Sequence, residues 1–79
     1  MNLSNGISII VTVFNKDKYI EKTLSSIISQ MNDQTELIVI NDGSTDKSLQ
    51  KIKFALRKCK FKYYIIDQKN TGPSIAINN

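Results

Sequence analysis

From Ile7 to Val13 the chain reads ISIIVTV, a nearly continuous run of β-branched residues. A run without polar alternation suits a strand covered on both faces in a parallel sheet. Phe14-Asn15-Lys16-Asp17 breaks it, and apolar residues return at Ile20, Leu24, Ile27, Ile28 and Met31, the spacing of one helical face. Asp17 is placed to cap that helix, and Asn15 could do the same. Asn32-Asp33-Gln34 is turn-like, and ELIVIN, from Glu36 to Asn41, predicts a second buried strand. Asp42-Gly43-Ser44-Thr45-Asp46 ends it with a turn glycine, hydroxyls able to cap and an acid for a first helical turn. Leu49, Ile52, Leu56 and Cys59 then recur at helical spacing, predicting a helix over 46–58. FKYYII, from Phe61 to Ile66, predicts a third strand and 67–72 a loop, after which Pro73 suits the first turn of a third helix.

The order is β-α-β-α-β-α, which with right-handed crossovers builds a parallel, three-layer α/β unit. No internal repeat or low-complexity tract competes with it. Residues 1–6 read as a tail and 7–79 as the structured part. At 79 residues a chain buries only roughly 60% of the surface it exposes unfolded, so stability without a partner is expected to be marginal.

Composition adds little to this picture, being 41% hydrophobic and 23% charged, as in ordinary globular segments. A net charge of +4 raises nucleic acid as a partner. The lysines, however, punctuate a predicted helix at Lys47, Lys51 and Lys58 and flank a strand at Lys60, Lys62 and Lys69, with no recognition motif among them, so no nucleic-acid binding is expected. The single cysteine, Cys59, has no partner for an internal bridge and points to a reducing, intracellular setting. Neither a signal peptide nor a transmembrane run is legible.

In parallel sheets ligands bind beyond the carboxyl ends of the strands, where loops lead into helices. Three loops qualify: 14–17, 41–46 and 67–72. A carboxylate at Asp42 can accept hydrogen bonds from a base or ribose, and the backbone at Gly43 can approach a ligand closely because no Cβ intervenes. Asp-Gly-Ser-Thr-Asp would equally serve a chain needing only a tight turn and a cap, and the same holds for Asn70-Thr71-Gly72-Pro73. Thr12, a hydroxyl near the end of a buried strand, is more often a satisfied core group than a ligand contact. The dinucleotide fingerprint G-x-G-x-x-G and the P-loop are both missing. With no histidine and one cysteine, a zinc site and a histidine-based triad are excluded within this chain.

ISIIVTVFNKDKYIEKTLSSIISQ, then ELIVINDGSTDKS, then NTGPSIAINN, in this order, resemble the N-terminal part of family 2 glycosyltransferases. Their members read S-[IV]-I-[IV]-P-x-[YF]-N, then E-[IV]-[IV]-V-[DN]-D-G-S-x-D, then N-x-G-x-S-x-A-R-N. The resemblance implies a GT-A fold, in which a Rossmann-like half with flanking helices binds a nucleotide-sugar and a second half binds the acceptor. It implies a nucleotide-sugar pocket of Thr12, Phe14, Asn15, Asp42, Gly43, Asn70 and Gly72. Phe14 would wall or stack on the base, Asp42 would bond uracil or ribose, and Asn70 and Gly72 would shape the adjoining loop. Asp46 would brace the loop rather than touch the donor.

Two positions depart from the family pattern: Thr12 stands for the usual proline and Ile77 for an arginine that helps hold the nucleotide. Asn41 in place of the first acid of the strand-end pair is a variant the family tolerates because the second acid makes the main nucleotide contact. The family's D-x-D motif, which holds Mg²⁺ or Mn²⁺ against the diphosphate, and its general base both lie beyond the matched stretch. The expectation is thus a fragment of a transferase whose intact form moves a sugar from UDP-sugar or a similar donor to a saccharide or lipid-linked acceptor, with no catalytic residue of its own. An intact enzyme of this kind would be cytoplasmic, at most peripheral at the inner face of the membrane. Richness in lysine, isoleucine and asparagine suggests a bacterial, A/T-rich genome and surface polysaccharide synthesis. Self-association through an unpaired sheet edge is expected of the isolated piece. The alternative is a catalytically inactive nucleotide- or partner-binding module. A phosphoacceptor receiver domain has the same order of elements but needs an acidic pair where Phe14-Asn15 stand.

Overall fold

The structure, a computed structural model, describes residues 6–69. It comprises β1 (Ile7–Val13), α1 (Ile20–Ile28), β2 (Thr35–Asp42), α2 (Ser48–Leu56) and β3 (Lys62–Gln68). The helix expected from Pro73 and the predicted site residues Asn70 and Gly72 lie outside the described residues. The strands form one parallel sheet in the order β1-β2-β3. Ile9 pairs with Leu37 and Leu37 with Tyr63, Val11 with Val39 and Val39 with Ile65.

This register puts Ile9, Val11, Val13, Leu37, Val39 and Ile65 on one face, because side chains alternate along a strand. Both helices close over that face. α1 contributes Ile20 and Leu24, α2 contributes Ile52 and Leu56, and Met31 seals the end beyond α1. Leu24, Leu37, Ile52 and Leu56 are fully buried, each such side chain stabilising the fold by roughly 1.5–3 kcal/mol. The helical spacing of the apolar residues thus becomes a single one-sided core.

On the opposite face, Ile10 is 61% and Tyr64 46% exposed. The described residues therefore form two layers rather than the expected three, and β1 is covered on one face rather than both. The physical reason is the strand order: successive right-handed crossovers that step the same way across a sheet deliver both helices to the same side. β1 pairs only with β2 among the described residues, which leaves it at the sheet edge.

The element ends also differ from expectation in instructive ways. β2 and β3 run further into polar sequence, because the ladder continues through the pairs Asn41–Asp67 and Asp42–Gln68. α1 begins at Ile20 with Tyr19 at its N-cap and no side-chain cap; the Lys16 carbonyl accepts the N–H groups of Tyr19 and Ile20 instead. Neither Asp17 nor Asn15 caps α1, since both side chains turn to the β2–α2 loop. α2 spans Ser48–Leu56, shorter at each end than the predicted 46–58.

At the entry to β1 the Ile7 N–H donates to the Gln34 carbonyl at 2.7 Å, and a Cβ added at Gly6 would meet that oxygen at 2.8 Å. Gly6→Ala should therefore destabilise the chain, by about 1–3 kcal/mol in denaturant unfolding, as overpacking against immobile backbone does.

Candidate functional site

The alternation that builds the core also sorts the polar residues at the end of β2. Asn41 follows Leu37 and Val39 onto the helix-covered face and is buried, whereas Asp42 turns to the open face and is half-buried. Thr12, paired in register with Ile40, shares the open face and is exposed. The satisfied-core reading of Thr12 is therefore not what the fold makes of it. Phe14 follows at the end of β1, 47% exposed. Gly43 turns the chain with φ 76°, in the left-handed region that favours glycine.

Between β1–α1 and β2–α2 the loops interlock. The consecutive N–H groups of Asn15, Lys16 and Asp17 donate to Ser44 Oγ (2.9 Å), Ser48 Oγ (2.8 Å) and Asp46 Oδ2 (3.2 Å). In return, Asn15 Oδ1 accepts the Thr45 N–H at 2.8 Å, and Asp17 Oδ2 accepts the Lys47 N–H at 3.3 Å. Asn15 adopts φ 50°, a left-handed conformation that asparagine tolerates better than most residues. The third loop joins through β3, where Asn41 Nδ2 donates to Asp67 Oδ1 at 2.9 Å. Gln68 Nε2 lies 3.4 Å from Asp42 Oδ1.

Two carboxylates meet the first N–H groups of α2, Asp17 at Lys47 and Asp46 at Ser48 (2.9 Å). Negative charge there also opposes the positive end of the helix dipole. Desolvation pushes the Asp46 carboxyl up, but hydrogen bonds from Ser48 and from Asp17 outweigh it, so the group titrates below its ordinary value. Asp46 thus braces the loops.

Beside this lattice Gly43, Ser44, Asp67, Gln68 and Lys69 line an open depression of about 580 Å³. Of the predicted site residues, Thr12 and Asp42 are brought to one face of the sheet, Gly43 lines the depression, Phe14 stands at the neighbouring strand end, and Asn15 spends its side-chain oxygen on Thr45. Sequence reasoning named the loops 41–46 and 67–72 but did not assign Asn41, Ser44, Ser48 and Asp67 as hydrogen-bond partners, nor Gln68 and Lys69 individually as lining. Only the short spacings Asp46–Ser48 and Asn41–Ser44 offered a local signal, because the other bonds of these residues join positions 26 or more apart in sequence.

Parallel strands joined by helices, with polar loops gathered at their carboxyl ends, define a Rossmann-like α/β unit. The chain belongs to glycosyl transferase family 2, whose family model matches residues 8–79. It is 47% identical over 72 residues to an uncharacterized glycosyltransferase of Haemophilus influenzae, covering 91% of this chain and 22% of that protein. It is 38% identical over 78 residues to the glycosyltransferase GlyA of Streptococcus pneumoniae, covering 99% of this chain and 11% of that protein. Over 75 residues it is 37% identical to a teichoic acid poly(glycerol phosphate) polymerase of Staphylococcus epidermidis, covering 94% of this chain and 10% of that protein. The chain thus spans 10% to 22% of the length of these curated relatives. No solved structure matches it significantly.

Because the folded-state value of Asp46 lies below its ordinary 3.8, the ionised carboxylate stabilises the fold above that pH, and the contribution is lost as acid protonates it. Asp46→Asn should lower the denaturation midpoint at neutral pH, and the gap from wild type should close once the pH falls below the 3.8 range. Gly43→Ala, strained at φ 76°, should cost about 1 kcal/mol or more in the same measurement.

Proposed function

We propose that this stretch is the donor-nucleotide side of a glycosyltransferase, with residues 1–6 a tail and 7–79 the N-terminal part of a GT-A domain. The observation that carries the reading is the placement of Asp42 and Thr12 on one open sheet face at the carboxyl ends of parallel strands, in a chain of family 2. In this reading the Asp42 carboxylate accepts hydrogen bonds from the uracil N–H or ribose hydroxyls of a UDP-sugar. Phe14 supplies an aromatic face to the base, and Thr12 a hydroxyl within the same pocket. Gly43 lets backbone approach the ligand, and Asn15, Asn70 and Gly72 complete the walls. The intact enzyme passes the sugar to a saccharide or lipid-linked acceptor on the cytoplasmic side, in bacterial surface polysaccharide synthesis. The names of relatives that are glycosyltransferases and a teichoic acid polymerase support this setting.

Among the described residues no group of three His, Cys, Asp or Glu side chains could hold a metal ion. Residues 6–69 therefore do not fit the Mg²⁺ or Mn²⁺ of the family. None of their helices is long and apolar enough to cross a membrane.

Calorimetric titration of the chain with UDP and UDP-sugars tests the pocket. Binding should be millimolar or tighter, and Asp42→Ala should weaken it about tenfold or more, the loss of a hydrogen bond to a charged group. A folded wild-type chain that ignores UDP would favour a module with another partner. The β1 edge, with Ile7 63% and Ile10 61% exposed, should make the isolated chain self-associate; a clean monomer in light scattering would refute this.

A further inference from the structure

Asn41 is only 2% exposed, yet both ends of its amide bond to groups from other parts of the sheet edge. Its Nδ2 donates to Asp67 Oδ1 on β3 at 2.9 Å, and its Oδ1 accepts the Ser44 hydroxyl at 2.6 Å. The same hydroxyl oxygen accepts the Asn15 N–H at 2.9 Å. One buried amide therefore links the ends of β1, β2 and β3. Asp42, next in sequence, points to the opposite face. Its position is consequently set by a strand end that cannot move without breaking the relay.

The link has a strict chemical requirement. An ionised Asp67 only accepts, so residue 41 must donate to it; the Ser44 proton needs an acceptor, so residue 41 must also accept. An amide does both. A carboxylate at 41 would set like charges face to face and leave Asp67 without its donor.

We propose that Asn41 is the positioning residue of the nucleotide pocket, acting through an amide–acid pair with Asp67 that holds Asp42 and Phe14 at the spacing a nucleotide requires. This rests on the pocket reading given above. The pair is exchangeable: in a chain carrying Asn41→Asp with Asp67→Asn, the new amide at 67 donates to the new carboxylate at 41, whose second oxygen still accepts from Ser44.

The test compares wild type, Asn41→Asp and the double exchange as full chains, each confirmed folded by circular dichroism at the working temperature. UDP affinity is measured by calorimetry and hydrogen exchange at the Asn15 amide by NMR. Asn41→Asp should weaken UDP about tenfold and accelerate Asn15 exchange, and the double exchange should recover both to within about threefold. Where Asn41→Asp does not fold, the double exchange carries the test: near-native UDP affinity supports the proposal and its loss overturns it. Faster Asn15 exchange with unchanged UDP affinity in Asn41→Asp overturns the positioning role while leaving the pocket reading intact. A folded wild type that does not bind UDP overturns both.

Discussion

The backbone N–H groups at the start of a βα loop have neither a ladder partner nor a helical one, and this chain leaves three in a row, at Asn15, Lys16 and Asp17. All are accepted by side chains of the next loop and the first turn of α2: Ser44, Ser48 and Asp46. Pairing these donors across loops rather than within one sets the distance between the ends of β1 and β2. Asn41 and Asp67 extend the same constraint to β3. The carboxyl edge of the sheet is therefore a single hydrogen-bonded body before any ligand arrives.

That constraint separates the polar residues at the end of β2 and after it into those bonded within the loop lattice and Asp42 on the other face. Asn41, Ser44, Thr45, Asp46 and Ser48 are all engaged with their own chain. Asp42 stands apart from this lattice on the other face of the strand, with Gln68 at the limit of hydrogen-bond distance. The Asp-Gly-Ser-Thr-Asp motif is thus the tight turn and, in the proposed reading, also carries the ligand-facing Asp42. Such preorganisation lowers the ordering cost that a ligand must overcome on binding.

The two-layer arrangement follows from a second constraint, the handedness of crossovers. Stepping from β1 to β2 to β3 in one direction places α1 and α2 on one face, where their contact with each other completes the core. The open face bears Thr12, Asp42 and the exposed Ile10 and Tyr64.

Much of this was legible from periodicity alone. The β-branched run at 7–13, the helical spacing from Ile20 and the short apolar runs at β2 and β3 determined the elements, their order and the parallel sheet, because each depends on residues close in sequence. The strand ends that carry Thr12 and Asp42 were likewise legible. Tertiary structure alone decided which side chains serve those loops. Asp17, a natural cap for α1 by position, instead accepts from Lys47, and Asn15 turns to Thr45, partners 30 residues away. Composition cannot rank such partners, since a carboxylate or amide bonds equally well to any donor within reach, and reach is set only once the strands have paired.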